Sequence, residues 1–397
     1  MCGGWHNPSM PQTMTSADLR IHNQVRLLRA VHGAAAPVTR AEAARLLGIG
    51  RNTAAALVGE LEQARLLHEV PAEAGGRGRP TTLLVPHPEG PLAFAVDFRE
   101  DTWTLASVEL GGAATGLEEG EHDRTPRAFA AIRAAIGRHA SDRLAVVGFA
   151  TSGPIRDGRR LHISHLGWDE VDLGDLVGPD WPATLVDNDA RLAGLAEARR
   201  GALRGVGTAM HFHIDFDIGG TLLLHGDAQR GGHNIAGEFG HMPLTGSGLE
   251  CMCGVRGCWS LDVGANALVR RFGARPGYGE GRALAREILR RAADGDAEAA
   301  AAVDANAAAL GRGLGALANA LDPEAISLSG LGVDLIRLRR EVIEAHCAAG
   351  LMAFRRGEPP RIVAGTVGEA GPLTGAAEIA WDAILAPDRV KDRLQGA

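Results

Sequence analysis

From Leu92 onward, the sequence alternates pairs of strand-like segments with helix-like segments, and it does so twice. This alternation predicts an α/β body, because a sheet must cover its apolar faces. The strand-like segments are LAFAVDF, TWTLASVEL, LAVVGFA and TLVD in the first half, and TAMHFHIDF, IGGTLLLHG and AISLSG in the second. We predict two related α/β lobes, residues 91–204 and 205–397, with a ligand cleft between them.

The helix-like segments follow the strand pairs. They lie at about 127–139 and 189–200 in the first half, and at about 279–293 and 297–321 in the second. The first strand pair is joined by Arg99-Glu100-Asp101, a polar segment that predicts a turn.

Length and charge indicate more than one domain. A chain of 397 residues exceeds one ordinary core and predicts two or three domains. The net charge is −7, yet residues 17–86 carry nine arginines and six acidic residues, a local charge of +3. A small basic module on an acidic body is therefore expected. No apolar run reaches the ~18–20 residues of a membrane span, and no signal-peptide pattern opens the chain, so we expect a cytoplasmic protein.

Residues 17–86 have the pattern of a helix-turn-helix module. Apolar residues at helical spacing predict a first helix over residues 19–31. Thr39 and Glu42 form a possible capping box for a second helix. A glycine-containing turn at residues 48–50 leads to a third helix, which is the order of a helix-turn-helix. The alternative is an ordinary helical hairpin.

The third helix, predicted from residue 51 to about 64, has features of a recognition helix. It opens with Arg51, Asn52 and Thr53, where a recognition helix presents side chains to base edges and phosphates. Its candidate core positions are Ala55, Leu57, Val58 and Leu61.

A wing is predicted after this helix. The segments LLHEV and TTLLV bracket the polar segment GGRGRP, and arginines on such a tip can enter a minor groove. The alternative is a solvated loop. We predict a winged helix-turn-helix DNA-binding domain over residues 17–86. Its candidate DNA contacts are Arg40, Arg51, Asn52, Thr53, Arg77 and Arg79.

Three of the five cysteines crowd into the segment CMCGVRGC. Cys251, Cys253 and Cys258, with His241 ten residues upstream of the first, form a Cys₃His set that suits tetrahedral zinc in a closed, structural site. The alternative is a loop of reduced thiols. We predict structural Zn²⁺ on these four residues.

The segment GEFGHMPLTGSGLECMCGVRGC, residues 237–258, resembles the signature of the ROK family, which contains sugar kinases and sugar-responsive transcriptional repressors. The resemblance extends over TSGPI, SHLGW, VDNDARLAGLAEA and PEAISLSG, and with the N-terminal module it covers nearly the whole chain in the order of the repressor branch. It implies an actin-like, ribonuclease-H-like body of two lobes, usually dimeric or higher, with zinc on the four residues above.

The resemblance also implies a pocket for a sugar-type effector. The asparagine–aspartate pair of the family matches Asn188 and Asp189. In the kinases of the family, this aspartate acts as the catalytic base. The alternative is that Asp189 only caps the N-terminus of the following helix. The other matching positions are Gly153, His165, Glu238 and His241. His165 replaces an expected asparagine, and Ser260 replaces an expected acidic residue, so the sugar preference is open. A body that has lost sugar binding is the alternative.

Both phosphate loops of the kinases are altered. Where the family's first loop reads D-x-G-G-T, residues 97–101 read DFRED, so both glycines are gone and the carboxylates of Glu100 and Asp101 stand where phosphate would lie, with Arg99 beside them. Where the second reads G-T-G-I-G-G, residues 215–220 read DFDIGG. The segment DIGGT, residues 217–221, thus resembles the first loop but occupies the position of the second. Loss of both loops predicts loss of phosphoryl transfer, which depends on holding the phosphates.

The sequence therefore predicts a sugar-responsive transcriptional repressor with a non-catalytic kinase-like body. Its expected partners are a double-stranded DNA operator, a small sugar-type effector and a second copy of the chain, as a homodimer or a dimer of dimers, with no membrane involved. One alternative is an ATP-dependent sugar kinase with an added N-terminal domain. Another is a DNA-bound regulator whose effector is a protein.

Overall fold

The computed structural model describes residues 15–72, 82–174, 183–274 and 280–396. The chain forms two compact units. The first contains the residues up to Pro91 together with Asp382–Ala397, and the second contains Leu92–Trp381. Among the described residues, no helix combines the length and the apolar character that crossing a bilayer requires.

The first unit places three helices beside a small antiparallel sheet with the strand order β1-β3-β2. In chain order its N-terminal elements are α1 (Ser16–His32), β1 (Val38–Thr39), α2 (Arg40–Leu47), α3 (Arg51–Gln63), β2 (Leu67–Pro71) and β3 (Thr82–Pro86). Three helices followed by a strand pair are the predicted winged helix-turn-helix. The tip between β2 and β3, which carries Arg77 and Arg79, lies outside the described residues.

The local signals of this unit act as predicted. The Thr39 hydroxyl accepts a hydrogen bond from the backbone of Glu42, and the Glu42 carboxylate accepts one from the backbone N–H of Thr39 at 2.8 Å. Gly48 ends α2 at a φ of 69°, in the left-handed region that favours glycine. This turn directs the chain into α3.

The core face of α3 differs from the prediction by one position. Leu57, Val58 and Leu61 are buried as predicted, but Ala55 is exposed and Ala54 is buried in its place. Positions 54, 57, 58 and 61 follow the helical spacing i, i+3, i+4, i+7, which Ala55 does not satisfy. The prediction for Ala55 was therefore wrong.

The second unit contains two five-stranded mixed sheets and a three-stranded sheet, with strand orders β11-β7-β4-β5-β6, β14-β13-β12-β15-β16 and β10-β9-β8. The strands are β4 (Leu92–Phe98), β5 (Thr102–Val108), β6 (Ala114–Glu121), β7 (Leu144–Thr151), β8 (Ile155–Arg156), β9 (Arg160–Ile163), β10 (Trp168–Asp172), β11 (Ala183–Asn188), β12 (Thr208–Ile214), β13 (Ile218–Leu224), β14 (Asp227–Ala228), β15 (Ala325–Gly330) and β16 (Arg361–Ala364).

The helices of the second unit are α4 (Ala128–His139), α5 (Asp189–Arg200), α6 (Ala265–Arg271), α7 (Glu280–Ala293), α8 (Ala297–Leu321), α9 (Leu331–Gly350) and α10 (Gly371–Ile384). The predicted strand pairs and the four predicted helices are present. Each large sheet has its own buried apolar cluster, which agrees with two α/β lobes of the actin-like, ribonuclease-H-like kind. Strand β6 and the sheet β10-β9-β8 were not predicted.

The C-terminal segment differs most from the predicted domain boundaries. Residues Asp382–Ala397 belong to the first unit, whereas the sequence analysis assigned them to the second lobe. Helix α11 (Pro387–Gln395) packs against α1 and α3 and buries Val390, which is 1% exposed. The boundary between the two units falls within α10, after Trp381.

Candidate functional site

A cleft of about 650 Å³ lies in the second unit. Its walls include residues at the carboxyl ends of β4, β11 and β15 and the turns after β7 and β12, so both large sheets contribute. Ligand clefts in α/β folds commonly lie at the carboxyl ends of the strands. Five of the six predicted effector residues line it: Gly153, Asn188, Asp189, Glu238 and His241. The sixth, His165, follows β9 in a short 3₁₀ helix, and its side chain is outside the described part of the structure.

The start of α5 positions two of these residues. Asn188 is the N-cap, and its side-chain oxygen accepts a hydrogen bond from the backbone N–H of Arg191 at 3.1 Å. Its amide group donates to the carbonyl of Gly153 at 3.3 Å. Asn188 therefore performs the capping that was the alternative role for Asp189, and the carboxylate of Asp189 faces the cleft from the first turn.

The environment of Asp189 is acidic. Burial raises the pKa of Asp189 from 3.8 to about 7, and the charges of Asp97, Glu100 and Glu238 act in the same direction. A hydrogen bond from the backbone of Ala190 opposes the shift. A carboxyl group that titrates near neutrality can both donate and accept a proton at physiological pH.

A buried arginine, which the sequence analysis missed, holds the cleft wall. Arg191 is 3% exposed and donates to a carboxylate oxygen of Asp187 at 2.5 Å. It also donates to the side chain of Asn234 at 2.9 Å and to the carbonyls of Asn234 and Ala236 at 3.0 and 3.1 Å. Asn234 in turn donates to the carbonyl of Ile155 at 2.9 Å. Arg191 and Asn234 thereby fix the segment that leads into Glu238 against both α5 and the start of β8.

The four predicted metal ligands come together beside this wall. The ligand atoms of His241, Cys251, Cys253 and Cys258 all lie within 4.8 Å of one another. The Sγ atoms of Cys253 and Cys258 are 3.6 Å apart, and the Cys251 Sγ is 3.7 Å from the Nδ1 of His241. A tetrahedral zinc ion with Zn–S bonds of about 2.3 Å requires ligand separations of about 3.8 Å. The cluster therefore fits a tetrahedral cation.

The chemistry of the donor set agrees with this fit. Burial, together with the neighbouring Cys253 and Cys251, raises the pKa of the Cys258 thiol to about 12. Three thiolates are held this close together only if a cation neutralises their charge. A bound zinc ion would supply that charge and tie the cysteine loop to His241, without an open position for catalysis.

An ion pair lies at the turn after β4, which the resemblance matches to the first phosphate loop of the kinases. Arg99 donates to the buried carboxylate of Asp97 at 2.8 Å and to the carbonyl of Glu369 at 2.8 Å. Glu100 points into the same cleft, and burial raises its pKa. The carboxylates of Asp97 and Glu100 therefore line the place that the resemblance assigns to a nucleotide phosphate.

The turn after β12, which the resemblance matches to the second phosphate loop, holds an arginine that the sequence analysis also missed. Arg282, from the first turn of α7, pairs with Asp215, which directly follows β12. Its guanidinium lies 5.3 Å from the ring centre of Phe216 and 3.8 Å from a carboxylate oxygen of Glu100. Arg282 thus joins the altered residues of both loops.

A buried polar chain underlies the cleft. His211 contacts the hydroxyls of Ser327 and Ser329 at 2.7 and 3.0 Å, and His213 contacts Ser329 at 2.8 Å. Burial lowers the pKa of His211 to about 3 and that of His213 to about 4. Both histidines are therefore neutral at physiological pH, and they crosslink β12 to β15.

The first unit presents the described members of the predicted DNA-binding set. Arg51, Asn52 and Thr53 are exposed in the first turn of α3. Arg40 is partly exposed and pairs with Glu69 of β2 at 3.1 Å, so part of its charge is neutralised within the unit.

Both a transcriptional repressor and a sugar kinase are among the known proteins that are similar to this chain. The xylose repressor of Bacillus subtilis (strain 168) is 22% identical over 369 residues, which cover 88% of this chain and 92% of that protein. The glucokinase of Streptomyces coelicolor is 26% identical over 311 residues, which cover 73% of this chain and 97% of that protein.

Solved structures agree on the fold. A ROK family transcriptional regulator, described as a homolog of the Escherichia coli MLC protein, superposes with a TM-score of 0.73 at 21% identity and covers 96% of this chain and 100% of its own. A ROK family glucokinase from Streptomyces griseus, in complex with glucose and AMPPNP, has a TM-score of 0.64 at 26% identity and covers 73% of this chain and 99% of its own.

The family profile gives the same result as the motifs. Residues 122–383 match the profile of the ROK family, and this range contains the N-D pair, the metal cluster and most of the cleft. The chain belongs to the ROK family.

Proposed function

We propose that this protein is a DNA-binding transcriptional repressor that responds to a sugar-type effector. The observation that carries the proposal is the winged helix-turn-helix with Arg51, Asn52 and Thr53 exposed at the start of α3, on the same chain as a ROK body. The similarity to the xylose repressor, which spans 92% of that protein, supports this combination.

The effector binds in the cleft beside Asp189 and Glu238. Carboxylates accept hydrogen bonds from sugar hydroxyls, and Asn188 and His241 add groups of mixed donor and acceptor character. His165 is proposed as a sixth effector-binding residue, and it is one of two positions, with Ser260, at which this chain departs from the kinases. Structural zinc on the Cys₃His cluster holds His241 in place for this contact.

The ion pairs at the two altered loops favour a regulator over an enzyme. An ATP-binding site must offer backbone N–H groups and net positive charge to the phosphates. Here Arg99 and Arg282 are engaged by Asp97 and Asp215, and Glu100 adds a further negative charge. The phosphates would meet carboxylates, so Asp189 has no phosphoryl group to act on.

The operator is double-stranded DNA with approximate two-fold symmetry, bound by a homodimer or a dimer of dimers. A helix-turn-helix reads a short half-site, and two copies read two half-sites one helical turn apart. Effector binding changes operator affinity only through different affinities for the two DNA-binding states.

Fluorescence anisotropy tests the proposal. The zinc-loaded protein is titrated onto a labelled duplex from the DNA upstream of its own coding sequence, alone and with D-xylose, D-glucose or N-acetyl-D-glucosamine. We expect tight, salt-sensitive binding that one sugar changes at least fivefold. No preference for this duplex over a scrambled one would refute the DNA-binding function.

The second candidate is an ATP-dependent sugar kinase, which the retained Asp189 and the similarity to ROK glucokinases favour. A coupled ADP-release assay with the same three sugars separates the two. Turnover above the sugar-free rate, abolished by Asp189→Asn, would establish the kinase.

A further inference from the structure

We propose that α10 and α11 form the element that transmits the state of the cleft to the DNA-binding unit, an inference that rests on the proposed function. The two helices are consecutive in the chain, and Leu385 and Ala386 alone separate them. One begins beside the cleft, and the other packs on the helices of the winged module. The sequence analysis assigned neither helix a role.

The first step of the connection runs from the cleft to α10 through α5. Helix α5 begins at Asp189 and ends at Arg199 and Arg200. Both arginines pair with Glu378 of α10, at 3.2 and 2.7 Å, and the Glu378 side chain is 4% exposed. An ion pair buried to this extent holds two elements in one relative position, because separating the charges exposes an unpaired buried carboxylate.

The backbones of α5 and α10 also touch directly. A Cβ atom at Gly375 would collide with the carbonyl of Leu192, and one at Gly371 would lie 3.2 Å from the side chain of Ala193. Helices packed this closely cannot slide without breaking contacts, so α5 and α10 move as one piece.

A second connection joins the cleft to the start of α10. Pro372 and the preceding Glu369 line the cleft. The carbonyl of Glu369 accepts from Arg99, and its carboxylate pairs with Arg286 of α7 at 2.8 Å. A ligand that changes the distance between Arg99 and α7 therefore pulls on the start of α10.

The far end of the element reaches the winged module. Near the end of α10, the indole N–H of Trp381 donates to the carbonyl of Val108 at 3.2 Å, so α10 is fixed to the body along most of its length. In the first unit, α11 buries Val390 against α1 and α3, and Arg393 donates to the carbonyl of Ala64 at 3.3 Å. Ala64 is the C-cap of α3, so α11 holds the end of the predicted recognition helix opposite to its DNA-contacting turn.

A flexible insertion tests this coupling. Four residues, Gly-Ser-Gly-Ser, are placed between Leu385 and Ala386 of the full-length protein. The readout is the ratio of the dissociation constants for the upstream duplex with and without the sugar that affects the wild type. We expect the affinity without sugar to stay within about threefold of the wild type, while the ratio falls from at least fivefold to near one.

A second variant tests the α5 contact. Glu378→Gln removes the charge that both arginines share, and we expect the ratio to fall at least threefold. Glu344→Gln on α9, which breaks an exposed pair with Arg340, is the matched control and keeps the wild-type ratio.

The outcomes separate this inference from the proposed function. A wild-type ratio retained by the insertion variant would refute the coupling element and leave the repressor function standing. A wild-type protein that binds the duplex but responds to none of the three sugars refutes the sugar response, and with it the coupling. Absence of specific DNA binding in the wild type refutes the proposed function itself.

Discussion

The Nε2 atom of His241 lies 3.8 Å from a carboxylate oxygen of Glu238. The Nδ1 atom of the same ring faces the cysteine cluster, 3.7 Å from the Sγ of Cys251. One imidazole therefore lies between the candidate metal cluster and the proposed effector site, and a metal bound to the cluster would fix the ring that faces Glu238.

Removal of one thiolate is expected to affect both sites. We expect Cys258→Ser to lose zinc, to lower the Tm by about 6–12 °C, as expected for about 3 kcal/mol, and to weaken sugar binding at least about tenfold. Metal analysis, thermal unfolding and calorimetry measure the three effects. Cys347→Ser, at a buried cysteine outside the cluster, is the control and retains one zinc per chain. Full sugar affinity in zinc-free protein would contradict the link through His241.

The arginine at the altered loops is expected to stabilise the body. Arg282→Gln leaves Asp215 and Glu100 without their shared cation, and we expect the free energy of unfolding to fall by about 1–3 kcal/mol. Urea denaturation measures the change. Arg290→Gln, which breaks exposed pairs on the same helix, is the matched control and should cost about 0.5 kcal/mol or less. Equal losses in the two variants would mean that Arg282 has no special role.

The shifted carboxyl group predicts a pH dependence of stability. The pKa of Asp189 is raised from 3.8 to about 7, so the native state holds a proton that the unfolded state has released. Stability from this group is present below about pH 4 and is lost as the pH rises to about 7. Asp189→Asn lacks this loss, so its stability relative to the wild type should increase between pH 4.5 and pH 7 in urea denaturation.

The control for this measurement is a carboxyl group whose pKa is lowered instead of raised. Hydrogen bonds from Thr125 lower the pKa of Asp123, so its contribution is lost only as the pH falls below its usual range. Asp123→Asn should therefore keep a constant difference from the wild type between pH 4.5 and pH 7. A constant difference for Asp189→Asn as well would show that Asp189 is ionised throughout this window.

The start of α3 is expected to contact DNA phosphates or bases. Arg51→Ala should weaken binding to the upstream duplex and lower the slope of log K against log salt by about one. Arg133→Ala, which removes an exposed arginine from α4 of the body, should leave the slope unchanged. Equal effects of the two substitutions would indicate attraction by overall charge alone.

Local signals in the sequence were sufficient for the winged module and for the strand pairs. The capping box of Thr39 and Glu42 lies within four residues, and the alternation of strands and helices needs no distant contact. The metal cluster was also predictable, because three of its ligands lie within eight residues and the fourth lies nearby.

Contacts between distant residues could not be predicted in this way. Nothing near Arg282 in the chain indicates a pairing with Glu100, and Arg191 reads as an ordinary helix residue until its contact with Asn234 is seen. Helix α11 has the sequence PDRVKDRLQ, in which Val390 is the fully buried apolar residue, so its pattern does not indicate which unit it joins.

The assignment of the last residues to the first unit has a consequence for synthesis. The ribosome releases the N-terminal helices before the body, but α11, which buries Val390 against them, follows the body in the chain. At about 5–20 residues per second, translation of the intervening body takes about 15–60 s. A nascent chain thus carries its first unit without α11 until the whole body has been synthesised.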